Sequence, residues 1–392
     1  MQKLKRIESF LLFLTILFLP TQLGRHFWPD FSYVYSLKVD YLSPTLYFWD
    51  ILLLLLWVVF LISGRHINRL ALIFFYFFVL SQALSLVFNS SAFGVGLIRL
   101  EQYTIAGLFG VYIASLKKEE IGKIYLPLTL AVLGETVLAI LQFFKGGTIG
   151  LWILGERTFS LSTPAIAKFD FYGREFLRPY GTFPHPNVLA GFILITLLLL
   201  PARRFLTISG GLAILLTVSR VTMMAAFISA MFILKSQGRK LLIFLLLLLL
   251  PVLYTRYSAI FNFDNLTLLR REELSLTAIN LWIGHPLFGV GLNNFIPKAA
   301  DALLTGPSRF LQPVHNIILL ALSETGVIGA IGIIGLIGYP LYKRKFLIVW
   351  TSLIFLGLFD HYFLTLPQGI RLLFLVWGLS FSMLEWKNAK SS

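Results

Sequence analysis

The chain contains no cysteine, so neither a disulfide nor thiol chemistry is open to it, and the redox compartment leaves no trace in the sequence. Charge is scarce. Only 13% of the 392 residues are charged, against about 25% in a soluble domain of ordinary composition. Acidic residues are scarcer still, 18 against 33 Lys and Arg. No internal repeat is found. An apolar stretch follows Lys3, Lys5 and Arg6, but no small-residue cleavage site closes it, so the segment reads as a retained first helix.

What is present is apolar: 57% of residues are hydrophobic and mean hydropathy is +0.83. Long apolar runs recur throughout, which predicts an all-α polytopic membrane protein with one integral membrane domain over 1–392. About twelve spans are expected, near 9–27, 46–64, 70–88, 95–116, 124–144, 188–202, 205–219, 221–234, 241–258, 315–341, 347–365 and 371–386. The net charge of +15 would suit a polyanion such as nucleic acid. In a membrane protein, however, Lys and Arg first report topology. Every second loop is one of the basic segments "QKLKR", "RHINR", "KKEEIGK", "ARR", "KSQGRK", "YKRK" and "KNAK", which hold 18 of the 33 basic residues. Both termini are therefore expected in the cytoplasm, membrane lipids are the expected surroundings, and no nucleic acid partner is expected. Two long segments, 145–187 and 259–314, then fall outside. Ordered loops of that length are usually functional. The second should contain a helix, because "REELSLTAINLWIG" has apolar residues at helical spacing.

Four motifs carry polar groups into this background. In "RPYGTFPHPNVLAGF", Gly181, Pro184 and Pro186 make a turn-rich lead-in and Asn187 is expected to cap the following helix. His185 and Asn187 read equally well as a helix start or as substrate ligands. Arg178, near an outer boundary, is a ready oxyanion partner. In "LLTVSRVTMMAAF", Arg220 lies between two apolar runs. An ionisable residue at membrane depth is a functional candidate by default, and the alternative is an arginine reaching for headgroups. In "RREELSLTAINLWIGHPLFGVGLNNF", Arg270 and Arg271 open the loop helix. They are either substrate ligands or a solvated face paired with Glu272 and Glu273. The glycine turn with Asn293 that closes this segment is not a dinucleotide fingerprint, since no strand precedes it. In "PVHNIILLALSETGVIG", His315 and Asn316 stand at the outer end of the tenth span. A lone histidine is more often structural than catalytic, but three arginines gathering on the same face change that weighing. Arg99, Glu101, Glu135, Glu324, Asp360 and His361 also lie in or near spans; Arg99 and Glu101 either pair with other buried charges or mark a proton path, which keeps a transporter open.

Together and in this order the motifs resemble the O-antigen ligase and polymerase superfamily. Its pattern runs R-x-x-G-T-F-x-(N/H)-P-N, then S-R, then R…H-P-L-x-G-V-G-x-x-x-F, then H-N…E-x-G-x-x-G. The resemblance covers about residues 178–330, and Ser275 departs from it where many relatives carry tryptophan. It implies a glycosyltransferase-C-like helical bundle in a bacterial inner membrane with a periplasmic active site. It implies an inverting transfer of a glycan from undecaprenyl diphosphate, without a metal or other cofactor. The acceptor is a hydroxyl of lipid A–core in the ligase branch and a second lipid-linked repeat unit in the polymerase branch. A diphosphate leaving group needs fixed cations or a metal, and no cluster of outward acidic ligands stands out, so Arg220, Arg271 and Arg178 are the candidates for that charge. His315 is the candidate general base, with an ordinary pKa of about 6.5. Arg270, His185, Asn187, Asn293 and Asn316 complete the expected binding set, and Glu324 reads as structural or as a tuning partner. A lipid-linked glycan transporter or flippase is the reading from another class, and it predicts paired repeats that are not found. A structural membrane scaffold would not need arginines recurring on one face.

Overall fold

In hydrocarbon every backbone N–H and C=O needs a partner within its own segment, and the apolar runs meet that demand as helices. A computed structural model of the protein describes residues 2–89, 92–171, 173–240, 243, 266–302 and 311–382. Its helices are α1 Gln2–Leu17, α2 Phe48–Ile62, α3 Arg69–Asn89, α4 Phe93–Ala114, α5 Lys118–Lys145, α6 Pro186–Leu199, α7 Arg204–Thr217, α8 Arg220–Ile233, α9 Leu266–Gly284, α10 Phe295–Ala302, α11 Ile317–Tyr342, α12 Leu347–Gly357, α13 Tyr362–Thr365 and α14 Pro367–Ser382. Helices α3, α5 and α11 are each long and apolar enough to cross a membrane, and α2, α6, α7, α8 and α12 are shorter apolar helices. The expected ninth span, 241–258, lies outside the described residues except for residue 243.

The most extensive contacts join α4 to α14 and α3 to α11. Trp49, Phe109, Phe374 and Trp377 are fully buried, whereas Leu54, Ile62, Ile73, Phe144, Phe205 and Phe232 are exposed on the outside. An apolar exterior of this kind suits lipid as its solvent. The two ends of the bundle differ. At one end Arg65 bridges Glu8 and Glu120, and Lys123 donates to Ser9, which ties α1, the α2–α3 connection and the start of α5 together. At the other end the long segments meet. Thr21 Oγ1 donates to the Leu154 carbonyl, Thr182 Oγ1 to the Pro20 carbonyl and Asn293 Nδ2 to the Tyr41 carbonyl.

Three expected spans differ in detail. The first is expected at 9–27, but α1 ends at Leu17 and the chain turns into a strand at Gly24–His26 that pairs antiparallel with Thr45–Tyr47. Pro20 and the polar residues after it stop the helix. Segment 18–47 thereby joins the two long segments at the same end. The span expected at 347–365 is two helices, because Asp360 Oδ1 accepts the His361 N–H at 2.8 Å and competes with helical bonding.

The third difference explains two motifs at once. Helix α11 breaks at Gly326, whose φ of 61° and ψ of −164° are open essentially to glycine alone. The opened turn bonds to the "HPLFGVG" segment instead. The N–H groups of Val290 and Gly291 donate to the carbonyls of Ser323 and Glu324, and those of Val327 and Ile328 to Pro286 and Leu287. A Cβ at Gly326 would lie 2.3 Å from the Leu287 backbone. Gly326→Ala is therefore expected to lose roughly 1–3 kcal/mol from the backbone conformation alone, with the clash in addition. Gly338→Ala on the same helix meets nothing within 4 Å and should be neutral. Heating both purified variants in detergent checks this, and equal melting temperatures would contradict the lock.

Candidate active site

A cavity of about 980 Å³ opens where the long segments converge. Arg178, His185, Asn187, Arg220, Arg270, Arg271 and His315 all line it, although they come from four separate motifs. Val221, Met224, Leu268, Phe355 and Phe359 add an apolar wall beside the arginines. Polar groups of segment 18–47 and its neighbours, among them His26, Asp40, Glu156 and Arg157, line it as well.

Local bonding sets each arm. His185, not Asn187, caps α6: its Nδ1 accepts the Asn187 N–H at 3.1 Å, and Pro186 opens the helix. Asn187 is thereby free to turn its side chain sideways. Its Oδ1 accepts from Arg178 at 2.7 Å, and its Nδ2 reaches Asp360 Oδ2 at 3.4 Å. Arg178 Nε donates to the Thr217 carbonyl at 2.6 Å, which fixes the loop that presents Arg220. In that loop the β-branched Val218 takes a left-handed φ of 51°, a strained conformation held by its surroundings. Ser275 Oγ donates to the Arg271 carbonyl at 2.7 Å, so the departure from the family pattern is absorbed within α9.

His315 stands one residue before the α11 cap. Burial pushes its pKa below the ordinary 6.5. Asp360 works in the raising direction, and Arg271 and Arg270 add to the lowering. Its ring meets that of His361 edge-on at 5.1 Å. Burial and then Arg178 push His185 down to about 3. Burial opposes ionisation of Asp360; protonated forms of His361, His315 and His185, together with the Arg271 guanidinium, favour it and hold the carboxyl below its ordinary range. The cavity thus presents imidazoles that resist protonation, the carboxyl groups of Asp40, Glu156 and Asp360, and several guanidinium groups. That set can accept a proton and stabilise an anion.

Two expected ligands are placed elsewhere. Asn293 is buried with φ 59°; its Oδ1 accepts from Arg99 at 3.0 Å and its Nδ2 donates to the carbonyls of Tyr41 and Val95. Asn316 caps α11 through the N–H groups of Ile318 and Leu319 and donates to the Leu358 carbonyl. Neither lines the cavity. The buried acids are scaffold anchors. Glu135 accepts the N–H and hydroxyl of Thr182, and Glu324 accepts the Phe295 N–H. Glu101 is exposed. The sequence reading flagged Asp360 and His361 without a role and missed Glu156 and Arg157. Adjacent ionisable residues inside an apolar run are the signal that marks the first pair. Glu156 accepts from Gln142 and three successive backbone N–H groups, a pattern with no sequence signature.

An apolar helical bundle with a basic, half-apolar cavity at one end suits a membrane-embedded protein. Residues 205–334 match the protein-family model described as O-antigen ligase, and the match supports the O-antigen ligase and polymerase superfamily for this chain. That family implies a glycosyltransferase-like enzyme working on lipid-linked glycans in a membrane. The matched stretch contains Arg220, Arg270, Arg271 and His315; Arg178, His185, Asn187 and Asp360 lie outside it. No curated protein matches the chain.

Proposed function

We propose that this protein transfers a glycan from undecaprenyl diphosphate to a hydroxyl of lipid A–core on the periplasmic face of a bacterial inner membrane. The observation that carries the reading is the meeting of Arg220, Arg271 and His315 beside an apolar wall in one cavity. The acceptor oxygen attacks the anomeric carbon as its proton passes to the neutral His315 imidazole. The bond from that carbon to the diphosphate oxygen breaks on the opposite face, which inverts the centre. The departing diphosphate keeps the electron pair, and its charge is met by the planar donors of Arg220 and Arg271. Arg178 orients Asn187 and the Arg220 loop, and Arg270 lies beside the same cavity. His185 and Asn187 shape the wall, and the polyprenyl chain lies along Met224, Leu268 and Phe355.

The reading predicts transfer in EDTA, since arginines take the place of a divalent ion. Purified protein is mixed with lipid-linked donor and, in parallel, with lipid A–core or a second lipid-linked unit. Product on lipid A–core in chelator is the expected result. Product only on the second unit makes the protein a polymerase, and loss of activity that Mg²⁺ restores would refute metal independence.

A further inference from the structure

We propose that His315, Asp360 and His361 form a site for a zinc-class divalent cation, and that a cation bound there blocks the transfer by occupying its proton acceptor. One ligand atom from each residue lies within 4.8 Å of the others. His361 Nε2 and Asp360 Oδ1 are 4.0 Å apart. Tetrahedral zinc with nitrogen and oxygen ligands at about 2.0–2.2 Å separates neighbouring ligands by about 3.4 Å. Small side-chain rotations therefore close the triad on an ion. Two imidazoles and one carboxylate are a familiar donor set for zinc, and three protein ligands leave the fourth position open to the cavity.

Three further observations point to a ligand. The His361 Nδ1 to Thr365 Oγ1 distance is 2.6 Å, and the Thr365 hydroxyl donates to the His361 carbonyl at 3.1 Å. With the hydroxyl hydrogen on that carbonyl, Nδ1 donates to Thr365 Oγ1 and Nε2 keeps a bare lone pair, the tautomer that a bound ion would select. Metal-binding histidines are held in this way by an outer partner. His315 Nδ1 is buried with no hydrogen-bond partner among the described residues. Among the described residues, Asp360 Oδ2 has only the long contact to Asn187 at 3.4 Å. The alternative is an imidazole pair packed edge-on beside a carboxylate with no affinity for ions. Charge around the triad opposes a cation: Arg271 and Arg270 bear on His315, Arg178 holds Asn187, and Arg99 donates to the Thr365 carbonyl. Binding is therefore weaker than at a structural zinc site, as befits an inhibitor. The blocking effect rests on the proposed role of His315, whereas the binding does not.

The test uses the full-length protein in detergent, free of any histidine tag, with Co²⁺ as the probe and no donor present. Expected are saturable visible absorption bands of low-coordinate Co²⁺ that Zn²⁺ removes. His361→Gln should weaken Co²⁺ binding at least tenfold, and Thr365→Val, which removes the outer partner, by about tenfold. Gel filtration confirms that both variants remain folded, and either suffices if the other fails. Zn²⁺ should inhibit transfer, EDTA should restore it, and His361→Gln should require at least tenfold more Zn²⁺ for half inhibition. No saturable band with the wild-type protein, or unchanged binding by the folded variants, overturns the site. Binding without inhibition overturns the block alone.

Discussion

His315→Ala is expected to reduce transfer by about 10²–10⁴-fold, the usual contribution of a general base, while donor binding stays nearly intact. The donor's charge is held by Arg220 and Arg271, and the histidine supplies only the proton acceptor. The neutral imidazole is the active form, so activity is present above its pKa and lost as pH falls through it. Burial first, then Arg271 and Arg270, put that pKa below 6.5, so the acid limb of the pH–rate profile should lie below 6.5. Asp360 raises the same pKa, so Asp360→Asn should move the limb to still lower pH. His185→Ala should be milder, because its Nδ1 is occupied in capping α6. Transfer and donor binding measured side by side on the variants decide this. If His185→Ala abolishes transfer and His315→Ala does not, the base is on the other loop. If His315→Ala loses the donor, the histidine is a phosphate ligand.

Arg220→Ala and Arg271→Ala should each reduce single-turnover transfer by about 10²–10³-fold, the effect of removing one oxyanion-stabilising donor. Neither change should lower the amount of folded protein, since both side chains face the cavity rather than the core. Lysine should rescue only in part at either position, because a point charge does not reproduce a planar fork. Near wild-type single turnover by both alanine variants would remove the arginines from the chemistry.

Much of this site was legible because its residues stand out locally. A charged residue between apolar runs, as at Arg220, or a histidine heading an apolar helix, as at His315, departs from its surroundings and can be read one position at a time. The helices follow from the same local signal, and most apolar runs coincide with one. What was not legible depends on distant contacts. Nothing near Asn293 says that its amide will bridge α4 and segment 18–47, or that it will leave the cavity to do so. The glycines of "GVG" and of "ETGVIG" read separately as a turn and a helix. Only their close approach shows that each makes room for the other's backbone. Segment 18–47 was read partly as helix, because the apolar stretch of α1 blurs into it before Pro20. Asp360 was visible as a charge beside an apolar run, but its link to Asn187, 173 positions away, and through it to Arg178 leaves no local trace.

The central claim is that a glycan–diphosphate bond breaks in this cavity and that the sugar leaves on an acceptor oxygen. The direct measurement is the stoichiometry of products from purified protein, a glycan-loaded undecaprenyl diphosphate donor and lipid A–core, in the presence of EDTA. The account predicts one free undecaprenyl diphosphate for each glycosylated acceptor, with the anomeric configuration inverted. Donor that stays intact, or that reaches the far side of a proteoliposome bilayer without releasing its diphosphate, would contradict it and favour a transporter.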